Sequence, residues 1–162
     1  MASMIRVCFV CLGNICRSPT AEGIMYDLVE KAQLSSVIEL DSAGTGAYHV
    51  GEKADPRSRS TASNRGVTLR SISRQFVAAD FETFDYVLAM DKDNLLNLES
   101  ISDSAGSTEN LHLFRSFDPE SPRGSDVPDP YYGGPNGFDD VFDICDAACR
   151  GLLEHIQSTH DL

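Results

Sequence analysis

The sequence predicts an α/β fold, a three-layer sandwich with a central four-stranded parallel sheet flanked by helices. Three observations carry that expectation. Short apolar runs alternate with helical stretches along the whole chain, the pattern of strands joined by helical crossovers. Helix-start signals follow the strand-like runs. The chain closes on a long stretch with apolar residues at helical spacing. Right-handed crossovers then leave few topologies, and ligands of such sheets bind beyond the carboxyl ends of the strands.

The elements follow in order. Residues 4–10, MIRVCFV, read as a buried strand. The loop CLGNICR leads to Ser18-Pro19-Thr20, a Ser cap with Pro at the first helical position and Glu22 in the first turn, and that helix should reach about Lys31. Residues 37–40 read as a second strand, followed by the polar, glycine-bearing segment DSAGTGAYHVG. Asp55-Pro56 opens a second helix ending near Gly66. Residues 85–90, DYVLAM, form a third strand, and Asp91 caps a helix to about Leu98. Residues 111–114 are the fourth strand, and a loop rich in Pro, Gly and Asp spans 117–137. From Phe138 to Ile156 the apolar residues Phe138, Val141, Phe142, Cys145, Ala148, Cys149, Leu152, Leu153 and Ile156 line one helical face.

Composition narrows the function classes. A chain of 162 residues with 41% hydrophobic and 23% charged residues is expected to be a single globular domain over residues 1–162. The net charge of −12 argues against nucleic-acid binding, which needs a basic face. The charge is uneven: residues 1–76 carry a net +2 and residues 91–143 a net −9. An anionic ligand is better received by the first half, and the acidic second half would favour substrates with basic residues around the reacting group. No apolar run reaches the roughly 20 residues of a membrane helix. The N-terminal apolar stretch is broken too early for a signal peptide, so a cytoplasmic protein is expected. The five cysteines, at 8, 11, 16, 145 and 149, are neither a secreted disulfide framework nor, without Cys-x-x-Cys, a zinc site. The histidines His49, His112, His155 and His160 are scattered. No metal and no cofactor are expected.

The chemistry concentrates in Cys11-Leu12-Gly13-Asn14-Ile15-Cys16-Arg17-Ser18. A loop between a strand and a helix N-terminus can turn successive backbone N–H groups inward, and the helix end adds partial positive charge. Gly13 frees the backbone, and Asn14 tolerates a left-handed conformation. The result is a cradle for a tetrahedral dianion. Arg17 adds a planar fork for two phosphate oxygens. Cys11 stands at the mouth, where the same donors stabilise a thiolate, and Ser18 is placed to donate to it. Without its setting the segment also reads as a glycine-bearing turn with a structural cysteine. Cys8, inside the strand, reads as core, and so do Cys145 and Cys149, paired i, i+4 on the last helix.

VCFVCLGNICRSPTAEG closely resembles the signature of the low-molecular-weight protein tyrosine phosphatases. DSAGT, FDYVLAMDKDNL and DPYYGG resemble that family's other landmarks, in order and at similar spacing, so the likeness runs from about Ile5 to Ile156. It implies a metal-independent hydrolysis of phosphotyrosine monoesters. Cys11 would be the nucleophile and form a cysteinyl-phosphate. Arg17 and the backbone of Leu12, Gly13, Asn14, Ile15, Cys16 and Arg17 would hold the phosphoryl oxygens. Asp129, in Asp129-Pro130-Tyr131-Tyr132, would be the general acid and then the base; unaided, Asp-Pro reads as a turn pair. The resemblance further implies that Asn14 and Ser42 brace the loop and that Tyr48, Tyr131 and Tyr132 wall the substrate cleft, with Leu12 touching the substrate ring. It also implies that Cys16 pairs reversibly with an oxidised Cys11. Ser71 stands where the family often has a His, which leaves the bracing network open.

The expected partners are phosphotyrosine-bearing proteins or peptides. The expected state is a monomer, with weak self-association through exposed Tyr131 and Tyr132 as an alternative. Two relatives in chemistry compete. An arsenate reductase needs two further cysteines downstream of the loop, and none occurs between Cys16 and Cys145. Phosphoarginine phosphatases tend to carry Thr near the position of Ile15 and one aromatic after Asp-Pro; Ile15 and the Tyr131-Tyr132 pair favour phosphotyrosine. A phosphate-binding module would be expected to lack Cys11 or Asp129.

Overall fold

The strand β1 (Ile5–Cys11) is buried at every position except Arg6, as expected for a parallel strand covered on both faces. The computed structural model describes residues 4–102, 107–131, 133–134 and 136–162. In it β1 lies between β2 (Ile38–Gly44) and β3 (Tyr86–Ala89), and β4 (Leu111–Leu113) completes the sheet in the order β2-β1-β3-β4. All three pairings are parallel. The four-stranded parallel sheet expected from the alternation is therefore present.

Alternate residues of β1 feed two cores. Ile5, Val7, Phe9 and Cys11 face the helices α1 (Arg17–Lys31) and α5 (Gly137–Thr159). Cys8 and Val10 face the opposite layer, with Phe76, Phe81 and Leu98. That layer holds the short helix α3 (Asp80–Thr83) and α4 (Lys92–Ser102), while α2 (Pro56–Asn64) packs beside α1 and α5. Phe9 is fully buried, its ring 5.3 Å edge-on from Phe114. Truncating such a ring to Ala costs about 3–5 kcal/mol. Close approach sets one glycine: a Cβ on Gly151 of α5 would collide with the carbonyl of Phe117. Cys8, Cys145 and Cys149 are fully buried core residues, as expected.

Several boundaries differ from the sequence expectation. The helix α1 begins at Arg17 with Cys16 as its cap residue and no side-chain cap. Ser18 is not the cap, because its hydroxyl is turned to Cys11 and Asn14. Glu22 accordingly lies beyond the first turn. The strand β2 runs on to Gly44, since Ser42, Ala43 and Gly44 are buried against β1. Phe114 belongs to a 3-10 turn, Phe114–Phe117, rather than to β4. The helix α3 escaped the sequence reading; four residues are too few for a periodic signal. Asp55 and Asp91 do cap their helices, accepting from Arg57 N at 2.8 Å and Asn94 N at 2.7 Å.

The topology places the functional loop. From β1 the chain passes to β2 on one side, and β3 pairs on the other. The crevice therefore opens beyond the carboxyl end of β1, where Cys11 is the last residue.

Candidate active site

The loop after β1 is held by its carbonyls. Thr45 N donates to Cys11 O at 2.9 Å, Gly46 N to Leu12 O at 2.9 Å and Asp55 N to Ile15 O at 2.8 Å. Ser73 Oγ donates to Gly13 O at 3.0 Å, and Thr20 Oγ1 to Cys16 O at 2.8 Å. With the acceptors tied outward, the N–H groups of Gly13, Ile15 and Cys16 donate to no protein acceptor among the described residues. That is the donor-lined cradle expected of an anion site. Gly44 makes the tight approach feasible: a Cβ there would stand 2.7 Å from Leu12 O.

Asn14 is the keystone. Its φ of 56° is left-handed, a conformation that Asn adopts more readily than other non-glycine residues. Its backbone N–H points at Cys11 Sγ, 3.3 Å away. Its Nδ2 donates to Ser18 Oγ at 2.7 Å and to Ser42 Oγ at 3.0 Å, and its Oδ1 accepts from Arg74 N at 3.1 Å. Ser18 Oγ lies 3.1 Å from Cys11 Sγ and is free to donate to it when the sulfur is ionised. Ser42 Oγ in turn donates a hydrogen bond to Glu22 Oε1 at 2.5 Å. Burial, only partly offset by that bond, raises the pKa of Glu22 above the ordinary value. Asn14, Ser18, Ser42 and Glu22 thus form one chain of hydrogen bonds behind the loop.

Ser71 takes no part in these bonds. Ser73, buried two residues on, ties the segment to the loop through Gly13, and the Arg74 side chain is anchored by Asp41 at 3.0 Å and Asp80 at 3.0 Å. Only tertiary packing could identify Ser73, because one Ser in RSISRQ looks like another.

Arg17 is 2% exposed. Its Nη1 donates to Asp91 Oδ2 at 2.5 Å and to Val127 O at 3.0 Å, and its Nη2 lies 3.7 Å from Asp129 Oδ2. Burial works against its charge, but the Cys11 sulfur and Asp91 outweigh it and raise its pKa. Val127 N donates to Met90 O at 2.7 Å, fastening the Asp129 segment to the end of β3. Asp129 Oδ1 accepts from Tyr131 N at 3.0 Å, so Asp129 also has the turn geometry that Asp-Pro suggests.

These groups meet in a cavity of about 410 Å³. Cys11, Leu12, Gly13, Ile15, Cys16 and Arg17 form its floor, and Tyr48, Tyr131 and Asp129 its walls. Asn14, Ser18 and Ser42 stand behind the floor as supports. Tyr132 lies outside the described residues. His49 also lines the cavity, its Nδ1 2.8 Å from Glu52 Oε2 and its ring tilted 6.5 Å from that of Tyr131. A lone His after Tyr48 carried no signal in the sequence. Nor did Asp91 announce its second role, since capping α4 already accounted for it. The Cys16 thiol is pushed up to about 12 by burial, against a hydrogen bond from Ser58.

The other three histidines are not scattered in space. His112, His155 and His160 surround Tyr86, their ring centroids 6.2, 5.9 and 6.1 Å from its own. Tyr86 Oη lies 3.0 Å from His160 Nε2. No helix among the described residues is long and apolar enough to cross a membrane.

A family model described as low molecular weight phosphotyrosine protein phosphatase matches residues 6–161. A low molecular weight protein-tyrosine-phosphatase of Streptomyces coelicolor is 44% identical over 153 residues, covering 94% of this chain and 93% of its own. The crystal structure of a protein tyrosine phosphatase from Entamoeba histolytica, with Hepes in its active site, superposes with a TM-score of 0.89 at 40% identity, covering 96% of this chain and 98% of that one. DARP, a Drosophila arginine phosphatase, superposes with a TM-score of 0.82 at 33% identity, covering 94% and 98%.

Proposed function

Since the chain belongs to the low molecular weight phosphotyrosine protein phosphatase family, we propose that it hydrolyses phosphotyrosine monoesters through a cysteinyl-phosphate. The observation that carries this reading is the setting of Cys11 Sγ, which faces Asn14 N at 3.3 Å and Ser18 Oγ at 3.1 Å in the cavity that Arg17 and Asp129 share.

Cys11 attacks phosphorus in line, so an S–P bond forms as the bond to the phenolic oxygen breaks. Asp129 gives its proton to the leaving oxygen, help typically worth 10²–10⁴-fold in rate. It then takes a proton from the water that attacks the cysteinyl-phosphate, releasing phosphate and the thiolate. The N–H groups from Leu12 to Arg17 and the Arg17 fork hold the equatorial oxygens throughout. Phosphoryl transfer through a loose transition state asks mainly for such positioning, and losing one preorganised donor costs about 2.7–4 kcal/mol. Tyr48 and Tyr131 flank the phenyl ring, with Leu12 and Ile15 beneath. Their depth selects phosphotyrosine over the shorter phosphoserine. Cys16, protonated and next to the cradle, is the thiol that captures an oxidised Cys11.

We assign these roles to one domain that acts as a monomer on phosphotyrosine-bearing proteins and binds no nucleic acid. Five free thiols fit a reducing compartment, so the cytoplasm is its place. The test is kcat/KM on a phosphotyrosine peptide, with chelator and reductant present, for the wild type and Cys11→Ser. Turnover that vanishes in Cys11→Ser is the expected result; no turnover by folded, reduced wild type overturns the reading. The likeness to an arginine phosphatase favours one second reading, hydrolysis of phosphoarginine. Ile15, an apolar floor under the ring, weighs against it, and a parallel assay with phosphoarginine decides.

A further inference from the structure

Behind the loop, one run of hydrogen bonds links Cys11 Sγ to a carboxyl outside the catalytic cavity. It passes through Ser18 Oγ, Asn14 Nδ2 and Ser42 Oγ and ends on Glu22 Oε1. We propose that Glu22 is a positioning residue of the reaction: as the terminal acceptor it fixes the direction of every proton in this run, and so keeps the Ser18 hydroxyl donating to Cys11. The inference rests on the phosphatase reading above and deepens it.

The supply of donors and acceptors leaves one consistent arrangement. A serine hydroxyl has one proton to give, and an ionised carboxylate only accepts. The Asn14 amide sends one Nδ2 proton to each serine, while its Oδ1 accepts from Arg74 N at 3.1 Å. Each serine oxygen therefore receives a proton from Asn14 and places its own elsewhere. Ser42 gives its proton to Glu22, and Ser18 turns its proton to the Cys11 sulfur. The opposite arrangement turns the amide over, so that both serines donate to Oδ1. Ser18 then has no proton left for Cys11, Nδ2 meets Arg74 N donor against donor, and Glu22 loses its donor. Glu22 and Arg74 N are thus the two locks on the direction, and the rigid Asn14 amide couples one serine to the other.

The surroundings give this lock its strength. Asn14, Ser18 and Ser42 are all buried, where a polar group without a partner is costly. Glu22 follows Ser18 by four residues on α1 and so shares its face, and Ser42 of β2 stands between them. Charged groups reach Glu22 from each neighbouring element. Asp41 of β2 opposes its ionisation and Arg74 favours it, with burial as the largest effect. Cys8 of β1 lies within its field. Tyr26 and Arg70 share with it a cavity of about 220 Å³. A protonated Glu22 can donate to Ser42 rather than accept from it, which releases one lock. The donation to Cys11 is therefore secured while Glu22 is ionised and weakens as the pH falls and Glu22 takes up its proton.

The experiment is a double-mutant cycle of Glu22→Gln and Ser42→Ala in the full chain. It is read by kcat and KM on a phosphotyrosine peptide and by the pH profile of Cys11 alkylation with iodoacetamide. Glu22→Gln keeps the shape of the side chain, but its amide can donate to Ser42 as well as accept. Its kcat should fall roughly tenfold, the worth of one charge-assisted hydrogen bond, with KM changed less than about twofold. Its alkylation profile should move to higher pH by about one unit. Ser42→Ala disconnects Glu22 from Asn14, so adding Glu22→Gln to it should cost nothing further. A wild-type kcat and alkylation profile in Glu22→Gln, or effects that multiply in the double variant, overturn the inference. Should the double variant not fold, the profile of Glu22→Gln alone decides, because loosened packing lowers the melting temperature without displacing that profile. No turnover by folded, reduced wild type overturns the phosphatase reading, and the alkylation profile still decides on Glu22.

Discussion

Arg17 Nη1 donates to Asp91 Oδ2 at 2.5 Å across 74 residues of sequence. The same nitrogen reaches Val127 O at 3.0 Å, so one guanidinium joins the loop after β1, the start of α4 and the segment that carries Asp129. Its Nη2 lies 3.7 Å from Asp129 Oδ2. Asp91 therefore orients Arg17, and in the proposed mechanism it would repel a phosphate bound beside it.

Asp91→Asn separates those two effects. The orienting ion pair is lost, and kcat should fall about tenfold, the value of roughly one charge-assisted hydrogen bond. The repulsion is lost too, so inorganic phosphate should inhibit the variant more tightly than the wild type. Stability should fall by about 2–3 kcal/mol, below the full cost of breaking a buried pair because Asp91 is partly exposed. Steady-state kinetics with phosphate inhibition, together with a thermal melt, check all three; weaker phosphate inhibition would contradict this account of Asp91.

The left-handed backbone and the side-chain bonds of Asn14 are separable. Asn14→Ala puts at φ 56° a residue that tolerates the left-handed conformation less well than Asn, and it deletes the bonds to Ser18, Ser42 and Arg74 N; kcat should fall roughly 10²-fold as the loop loses its register. Asn14→Gly keeps the backbone conformation at no steric cost, recovering about 1–2 kcal/mol of stability relative to Ala. It should recover little of kcat. Melting temperatures and kcat for the two variants separate backbone from network.

Ser73 and Ser71 differ only in position. Ser73→Ala frees Gly13 O from its donor and should lower kcat several-fold with a smaller change in KM, at about 1 kcal/mol of stability. Ser71→Ala should leave both constants near wild type. The ratio of kcat values for the two variants is the measurement; equal values mean that the bond from Ser73 to Gly13 does not position the loop.

Alkylation should follow the burial of the thiols. Cys16 has its pKa pushed up to about 12, and burial raises Cys8, Cys145 and Cys149 as well. At pH 7 these thiols stay protonated and react slowly. Iodoacetamide should label Cys11, at the cavity, and spare the other four. Peptide mapping by mass spectrometry, repeated with phosphate in the cradle to protect Cys11, reads the result.

Acid stability should depend on His112. Burial, helped by the nearby His155, lowers the pKa of His112 below 6.5. The unfolded chain therefore binds the proton more readily than the folded one. The favourable contribution is complete above 6.5 and is lost as the pH falls from there towards the folded pKa. His112→Gln should flatten the fall of melting temperature between about pH 7 and pH 5, measured against wild type by calorimetry.

The sequence by itself determined the layer order of this protein and the position of Cys11, the proposed nucleophile. Alternating apolar runs give the sheet, and Cys11 to Ser18, set between a strand and a helix, give the cradle. These features are local: a period of two or 3.6, a proline at a helix start, a glycine and an asparagine in a loop. Tertiary structure decided what is not local. Glu22 behind Ser42, Ser73 under Gly13, His49 beside Tyr131 and Asp91 against Arg17 are joined across 20 to 82 residues. Their partners are chosen by the pairing of β1 with β2 and β3 and by the helices packed on them. A short polar side chain has the same appearance in sequence whether it faces water or a buried carbonyl, and only the packed chain makes one of those choices unavoidable, because a buried polar group must find its partner.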